Sequence, residues 1–240
     1  MSPELPENTL RERSATSLEN PENGLPRRPI EPVNRTREGV GRLALPSVGA
    51  MAPPSLTLLR HGQSDWNVAR RCQGQDDRAR LTDVGRAQAT EAIDAVRARG
   101  VDLVVASDLT RALETADVVA GALGVTRLID PLVRERAFGY LEGGPLAAMT
   151  AADTGIADDV LVDPDARPAG GESFRDVVLR ARRFLEKAEL AWPDRRLLVV
   201  THGGFVRAAR AVISGVALEG MVWERIDNAT LWPLEPVPTD

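Results

Sequence analysis

His61 and His202 are the only imidazoles of this 240-residue chain, and each follows an apolar, strand-like run and precedes glycine. The first run reads Leu56-Thr57-Leu58-Leu59 before Arg60-His61-Gly62, the second Leu197-Leu198-Val199-Val200-Thr201 before His202-Gly203-Gly204. In an open α/β sheet, ligands gather beyond the carboxyl ends of the strands, so two histidines placed this way can face one crevice. Gly62, Gly203 and Gly204 let backbone N–H groups come close to an anion, and a helix starting after Gly204 would turn its positive end toward it. Phosphate is the group such equipment suits. Either histidine alone would read as a hydrogen-bonded structural residue, since the side chain serves many roles.

The elements that must carry these residues alternate between short apolar strands and amphipathic helices. This pattern predicts an α/β fold, a three-layer sandwich whose mostly parallel, doubly wound sheet is flanked by helices. Strands are expected at Ser55 to Arg60, Leu103 to Ala106, Thr126 to Ile129, Arg196 to Thr201 and Ala229 to Pro233. Thr82 and Thr110 are read as caps of helices reaching about Arg99 and Leu123, and Ser173 as the cap of one reaching about Leu190. In the last, Phe174, Val177, Val178, Ala181, Phe184, Leu185 and Ala188 recur at helical spacing on one face.

Residues 1 to 50 are rich in Pro, Glu, Arg, Asn and Ser with no strand or helix period, and are read as a disordered Pro-rich N-terminal tail. Met51 leaves open a second reading, a start downstream of that tail. Residues 51 to 240 are expected to form one domain, because 43% apolar residues can supply one core but hardly two. A net charge of -5 speaks against nucleic acid or an anionic membrane as partner. No apolar run approaches the roughly 20 residues that span a bilayer. Cys72, the single cysteine, fits a reducing cytoplasm and leaves neither a disulfide nor a zinc site to build. A small phosphorylated substrate is the expected partner, and a homodimer is allowed.

Four further-reaching segments occur in order. They are Leu58-Leu59-Arg60-His61-Gly62-Gln63-Ser64-Asp65-Trp66-Asn67, then Ser107-Asp108-Leu109-Thr110-Arg111-Ala112 with Glu114-Thr115-Ala116, then Arg134-Glu135-Arg136-Ala137-Phe138-Gly139 with Glu142-Gly143, then Thr201-His202-Gly203-Gly204. Together they resemble the signature of the histidine phosphatase, or phosphoglycerate-mutase-like, superfamily over about residues 55 to 235. The resemblance implies a phosphomonoesterase of EC class 3.1.3 acting through phosphohistidine, with no cofactor and no metal. It makes His61 the nucleophile and Glu135 the acid that protonates the leaving oxygen, then deprotonates water. It sets Arg60, Arg111 and a protonated His202 around the transferring oxygens, where the arginine fork grips two at once. Asn67, Gln73, Gly74, Gly203 and Gly204 would touch phosphate or substrate. Arg86, Arg134 and Arg136 are read as surface or ion-pairing residues.

Gly170-Gly171-Glu172-Ser173 and Asn228-Ala229-Thr230 resemble the bacterial broad-specificity and sugar-phosphate branch. The stretch from Gly144 to Ala166 holds Asp153, Asp158, Asp159, Asp163 and Asp165 and no Lys or Arg. If it lines the pocket it disfavours acidic substrates, with Arg167 alone to compensate. Phosphoglycerate mutases carry basic residues in this stretch, so hydrolysis is preferred over mutase-type phosphotransfer. A protein phosphohistidine phosphatase and a non-catalytic phospholigand-binding module are the other readings.

Overall fold

The computed structural model describes residues 55–234, so the expected tail lies outside the described residues. The chain runs β1 (Leu56–Arg60), α1 (Asp65–Val68), α2 (Asp83–Glu91), α3 (Ile93–Ala98), β2 (Leu103–Ala106), α4 (Thr110–Leu123) and β3 (Thr126–Ile129). It continues through α5 (Ala151–Thr154), β4 (Ile156–Ala157), β5 (Val160–Leu161), α6 (Phe174–Ala191), β6 (Leu197–Thr201), α7 (Gly203–Ser214), β7 (Met221–Val222) and β8 (Leu231–Leu234). The main sheet has the order β3-β2-β6-β1-β8; the first four strands are parallel and β8 is antiparallel to β1.

Strand alternation sends neighbouring side chains to opposite faces, and here both faces are covered. Leu56, Leu58, Leu103, Val105, Leu197 and Val199 pack with α6 and α7 on one side. Leu59, Val104, Ala106, Leu198 and Val200 pack with α3 and α4 on the other. That double burial is why β1, β2 and β6 read as continuous apolar runs. The helix face expected for α6 is the buried one, and Ser173 caps it with a reciprocal bond to Asp176.

Two expectations need correction. Thr82 caps a helix as expected, but the helix breaks at Ala92 into α2 and α3. Neither Pro nor Gly stands there; Thr90 Oγ1 donates to the Arg86 carbonyl four residues back, a bond that loosens and bends helices. Thr110 is the first residue of α4, not its cap, and Leu109 at the cap position makes no side-chain bond to the helix.

The segment after Gly143 forms a second layer of its own. Its strands β4 and β5 join β7 in a small antiparallel sheet, tying the insert to the chain that follows α7. Among the described residues no helix is long and apolar enough to cross a membrane.

Candidate active site

Strands β1 and β6 are in parallel register, with Arg60 opposite Thr201, so the residue after each strand arrives at the same level. His61 and His202 are those residues. Their ring centroids lie 5.2 Å apart, inclined at 58°, and the His61 N–H donates to the Thr201 carbonyl at 2.9 Å. Both are buried.

The His61 ring is oriented from behind. Its Nδ1 lies 2.7 Å from the Gly62 carbonyl, which fixes Nδ1 as the protonated nitrogen and leaves the Nε2 lone pair free. The Gly62 N–H donates to Thr115 Oγ1 at 3.0 Å, and that hydroxyl donates to the Arg111 carbonyl at 2.8 Å. The nucleophile's backbone and an arginine are thereby joined through one threonine. Gly62 itself is obligatory, because a Cβ there would stand 2.2 Å from the Gly85 carbonyl oxygen.

Arg111 is fully buried, and two of its nitrogens are held by main-chain carbonyls: Nη2 by Gly74 at 2.7 Å and Nη1 by Asp76 at 3.1 Å. Arg60 Nη1 is likewise held by the Ile226 carbonyl. With these anchors made, Arg60 Nε, Arg111 Nε and both ring nitrogens of His202 are buried and find no hydrogen-bond partner among the described residues. Buried polar atoms are nearly always satisfied, so four such atoms around one imidazole mark a place built for a polyatomic anion. Burial brings the Arg111 guanidinium down to about 10, opposed by Glu135 and Asp77, which leaves it cationic at neutral pH.

Burial also holds both histidines well below the ordinary imidazole range, with Arg111 as the next influence on each. Burial and the two guanidiniums thus favour the neutral form of His202.

Glu135 comes to the site from the segment after β3. Its carboxylate accepts the Gly204 N–H at 3.0 and 3.1 Å and the Arg136 N–H at 2.8 Å, so it rests on the amino end of α7. Its main-chain carbonyl is gripped by Gln75 Nε2 at 3.0 Å and Arg180 Nη2 at 3.1 Å.

The remaining expected contacts work through protein partners. Asn67 Oδ1 accepts from the Ser64 N–H and hydroxyl, both at 3.0 Å, and from Asn228 Nδ2 at 3.2 Å. Gln73 Oε1 accepts from the Ser64 hydroxyl at 3.0 Å. Gly74 sits at φ +49° and lends its carbonyl to Arg111; a Cβ there would strike Glu142 Oε1 at 2.1 Å. Gly203 and Gly204 open α7. Sequence reasoning assigned no role to Thr115, Asn228, Arg180 or Arg207. Asn228 Nδ2 donates to the His61 carbonyl at 3.0 Å, a contact between residues at opposite ends of the domain that no local pattern signals.

Arg136 was expected at the surface or in an ion pair. It is fully buried and donates to four carbonyls: Glu172 at 2.8 Å, Thr154 at 2.8 Å, Ala166 at 2.9 Å and Asp153 at 3.1 Å. It is the anchor of the insert. The insert's acids have local duties as well. Asp153 accepts the N–H of Thr150, the cap of α5, and the Tyr140 hydroxyl, Asp165 pairs with Arg175 at 2.6 Å, and Asp163 accepts the Asp165 N–H. Asp158 and Asp159 form the left-handed turn between β4 and β5. Arg167 pairs with Asp176 at 2.8 Å.

The family model of the histidine phosphatase superfamily, branch 1, matches residues 56–238. This chain belongs to the histidine phosphatase superfamily. Within it, a probable phosphoglycerate mutase of Erwinia tasmaniensis is 36% identical over 177 residues, covering 72% of this chain and 81% of the relative. A glucosyl-3-phosphoglycerate phosphatase of Mycobacterium tuberculosis is 36% identical over 166 residues, covering 66% and 74%. The solved structure of a mycobacterial glucosyl-3-phosphoglycerate phosphatase with VO3 superposes with a TM-score of 0.63 at 32% identity, covering 74% of this chain and 89% of that one. The α/β sandwich predicted from the sequence is the fold this chain shares with that neighbour.

Proposed function

We propose that the chain is a phosphoric monoester hydrolase that splits small phosphorylated metabolites through a phosphohistidine on His61. The observation that carries this reading is the group of buried nitrogens on Arg60, Arg111 and His202 that find no hydrogen-bond partner among the described residues and lie around His61.

In the first step the His61 Nε2 lone pair attacks phosphorus, a P–N bond forms, and the bond from phosphorus to the alcohol oxygen breaks. Glu135 gives its proton to that oxygen, and the alcohol leaves. Arg60 and Arg111 hold the equatorial oxygens, and His202 binds beside them, taking up a proton as the phosphate dianion arrives. In the second step a water gives its proton to Glu135 as its oxygen attacks phosphorus. The P–N bond breaks, inorganic phosphate leaves, and His61 and Glu135 return to their starting states. Two guanidiniums supply the charge neutralisation that a divalent ion supplies elsewhere, so activity is expected without added metal. Gly74 acts behind Arg111, Gln73 holds Ser64, and Asn67 with Gly203 and Gly204 borders the phosphate.

The negative total charge and the single buried cysteine support a cytoplasmic enzyme with a small-molecule substrate and no nucleic-acid or membrane partner. Its state as monomer or homodimer is read by light scattering.

The test is hydrolysis of 4-nitrophenyl phosphate in excess chelator, beside H61A. Chelator-resistant release of phosphate that is lost in H61A supports the reading; an active H61A overturns it. If the wild type releases no phosphate, transfer between phosphoglycerates, the activity named for the Erwinia relative, takes its place.

A further inference from the structure

Glu135 lies outside any helix or strand, on the stretch between the short 3-10 turns Pro131–Val133 and Gly139–Leu141, so no regular element fixes its backbone. Two different helices hold its two ends. The carboxylate accepts the Gly204 N–H at the amino end of α7, and the main-chain carbonyl accepts from Nη2 of Arg180, a side chain of α6. Buried residues of α6 and α7 share one core cluster, so the two holds rest on a common support.

Arg180 spends each N–H of its guanidinium on this stretch or on the carboxylate that braces it. Nη1 donates to the Leu132 carbonyl at 2.8 Å and to the Arg134 carbonyl at 2.7 Å. Nη2 donates to the Glu135 carbonyl at 3.1 Å and to Glu172 Oε2 at 2.9 Å, and Nε to Glu172 Oε1 at 3.1 Å. The pair with Glu172 is thus bidentate, and the two side chains are only 13% and 24% exposed, so it holds a defined geometry where a solvated pair would not. Glu172 Oε2 also accepts the Ala137 N–H at 2.9 Å, which places the same ion pair on both sides of Glu135 along the chain.

We infer that Arg180 is a positioning residue for proton transfer to the leaving group: it fixes the Glu135 main chain, and with it the reach of the carboxylate, while Glu172 braces the guanidinium. This rests on the phosphatase reading above. With every N–H committed to a protein acceptor, Arg180 has no donor left for phosphate and acts only through Glu135. Proton transfer requires the carboxylate within hydrogen-bond reach of the leaving oxygen, and a displacement of about 1 Å can cost on the order of 10²-fold. Attack by His61 Nε2 does not depend on that distance. A fault at Arg180 should therefore show in proportion to how much the leaving oxygen needs its proton.

The experiment measures kcat/KM, which covers the steps up to release of the first product, for 4-nitrophenyl, phenyl and ethyl phosphate in wild type, R180M, R180K and E172Q. The readout is the ratio of ethyl to 4-nitrophenyl phosphate, which cancels any general loss of activity or of folded protein. R180M should lower that ratio by about 10- to 100-fold, with phenyl phosphate between the two. R180K, which returns the charge without the fork, and E172Q, which keeps the guanidinium but loosens its brace, should give intermediate values. A structural role alone would slow all three substrates equally, and an unchanged ratio in R180M overturns the inference. If R180M does not fold, E172Q decides by the same ratio, and a wild-type value there overturns it. Wild-type activity confined to 4-nitrophenyl phosphate would show that no acid reaches the leaving oxygen, which ends this inference while chelator-resistant, His61-dependent release keeps the phosphatase reading. If the wild type hydrolyses none of the three, the phosphatase reading fails and takes this inference with it.

Discussion

Gly204 and Glu135 meet at the amino end of α7, where one backbone N–H donates to both oxygens of the carboxylate and leaves no room for a side chain. A Cβ on residue 204 would stand 2.1 Å from Glu135 Oε1. The carboxylate is the movable partner, so G204A should displace Glu135 without unfolding the domain. For an alkyl phosphate, whose leaving oxygen needs a proton, kcat is expected to fall by about 10²- to 10³-fold. For 4-nitrophenyl phosphate, whose leaving group departs as the anion, the fall should be much smaller. Equal losses on both substrates would show that Glu135 does not act on the leaving oxygen.

If the donors of Arg60, Arg111 and His202 that find no partner among the described residues receive phosphate as proposed, the site binds anions even without turnover. Vanadate or inorganic phosphate at about 100 times its Kd should stabilise the fold by roughly 2.7 kcal/mol. For a domain of this size that is about 5 °C or more in Tm. R111M should lose most of this shift and reduce kcat/KM by about 10²- to 10³-fold. A full anion-induced shift in R111M, followed by thermal denaturation, would place the anion somewhere else.

The central strands and both histidines were legible because double burial writes itself as uninterrupted apolar sequence, and because consecutive residues leave parallel strands at one level. The site's support was less so. Asn228 and Thr115 act through contacts across 167 and 53 positions, which spacing does not encode. Arg136 carries the same charge as an exposed arginine, and only the convergence of four carbonyls reveals it as a buried clamp. The paired strands β4, β5 and β7 have two residues each, too few to carry a period. The insert's aspartates can be counted in the sequence, but the partners of Asp153, Asp163 and Asp165 cannot be read there.

Removing the Arg136 clamp is expected to loosen the insert before it affects the main sheet. R136M leaves the Thr154, Asp153, Ala166 and Glu172 carbonyls without their shared donor in a buried place. The cost should be about 3 kcal/mol or more, as for other buried charged hydrogen bonds. Limited proteolysis should then cut within residues 144–170 at a rate well above wild type. Unchanged cleavage there would mean that the β4-β5-β7 sheet alone holds the insert.

The neutral histidines make stability depend on pH above the range where carboxylates act. In the unfolded chain each imidazole takes up a proton near pH 6.5. In the folded chain His61 and His202 resist that proton to well below their ordinary value, because burial and the nearby Arg111 penalise the charge. Below about pH 6.5 the unfolded state therefore binds more protons than the native state, so stability falls as the solution is acidified and is complete above pH 7. The limiting slope is about 1.4 kcal/mol per pH unit for each histidine. Asp76, Asp108, Asp153 and Asp165, whose pKa values are lowered by hydrogen bonds from partners that include Arg78, Arg134, Thr150 and Arg175, withdraw their own support only at lower pH. Urea unfolding between pH 7.5 and 5 should show the decline in the wild type and a much flatter profile in the double variant H61N/H202N. The same slope in both proteins would mean that the two rings are not neutral partners in the folded site.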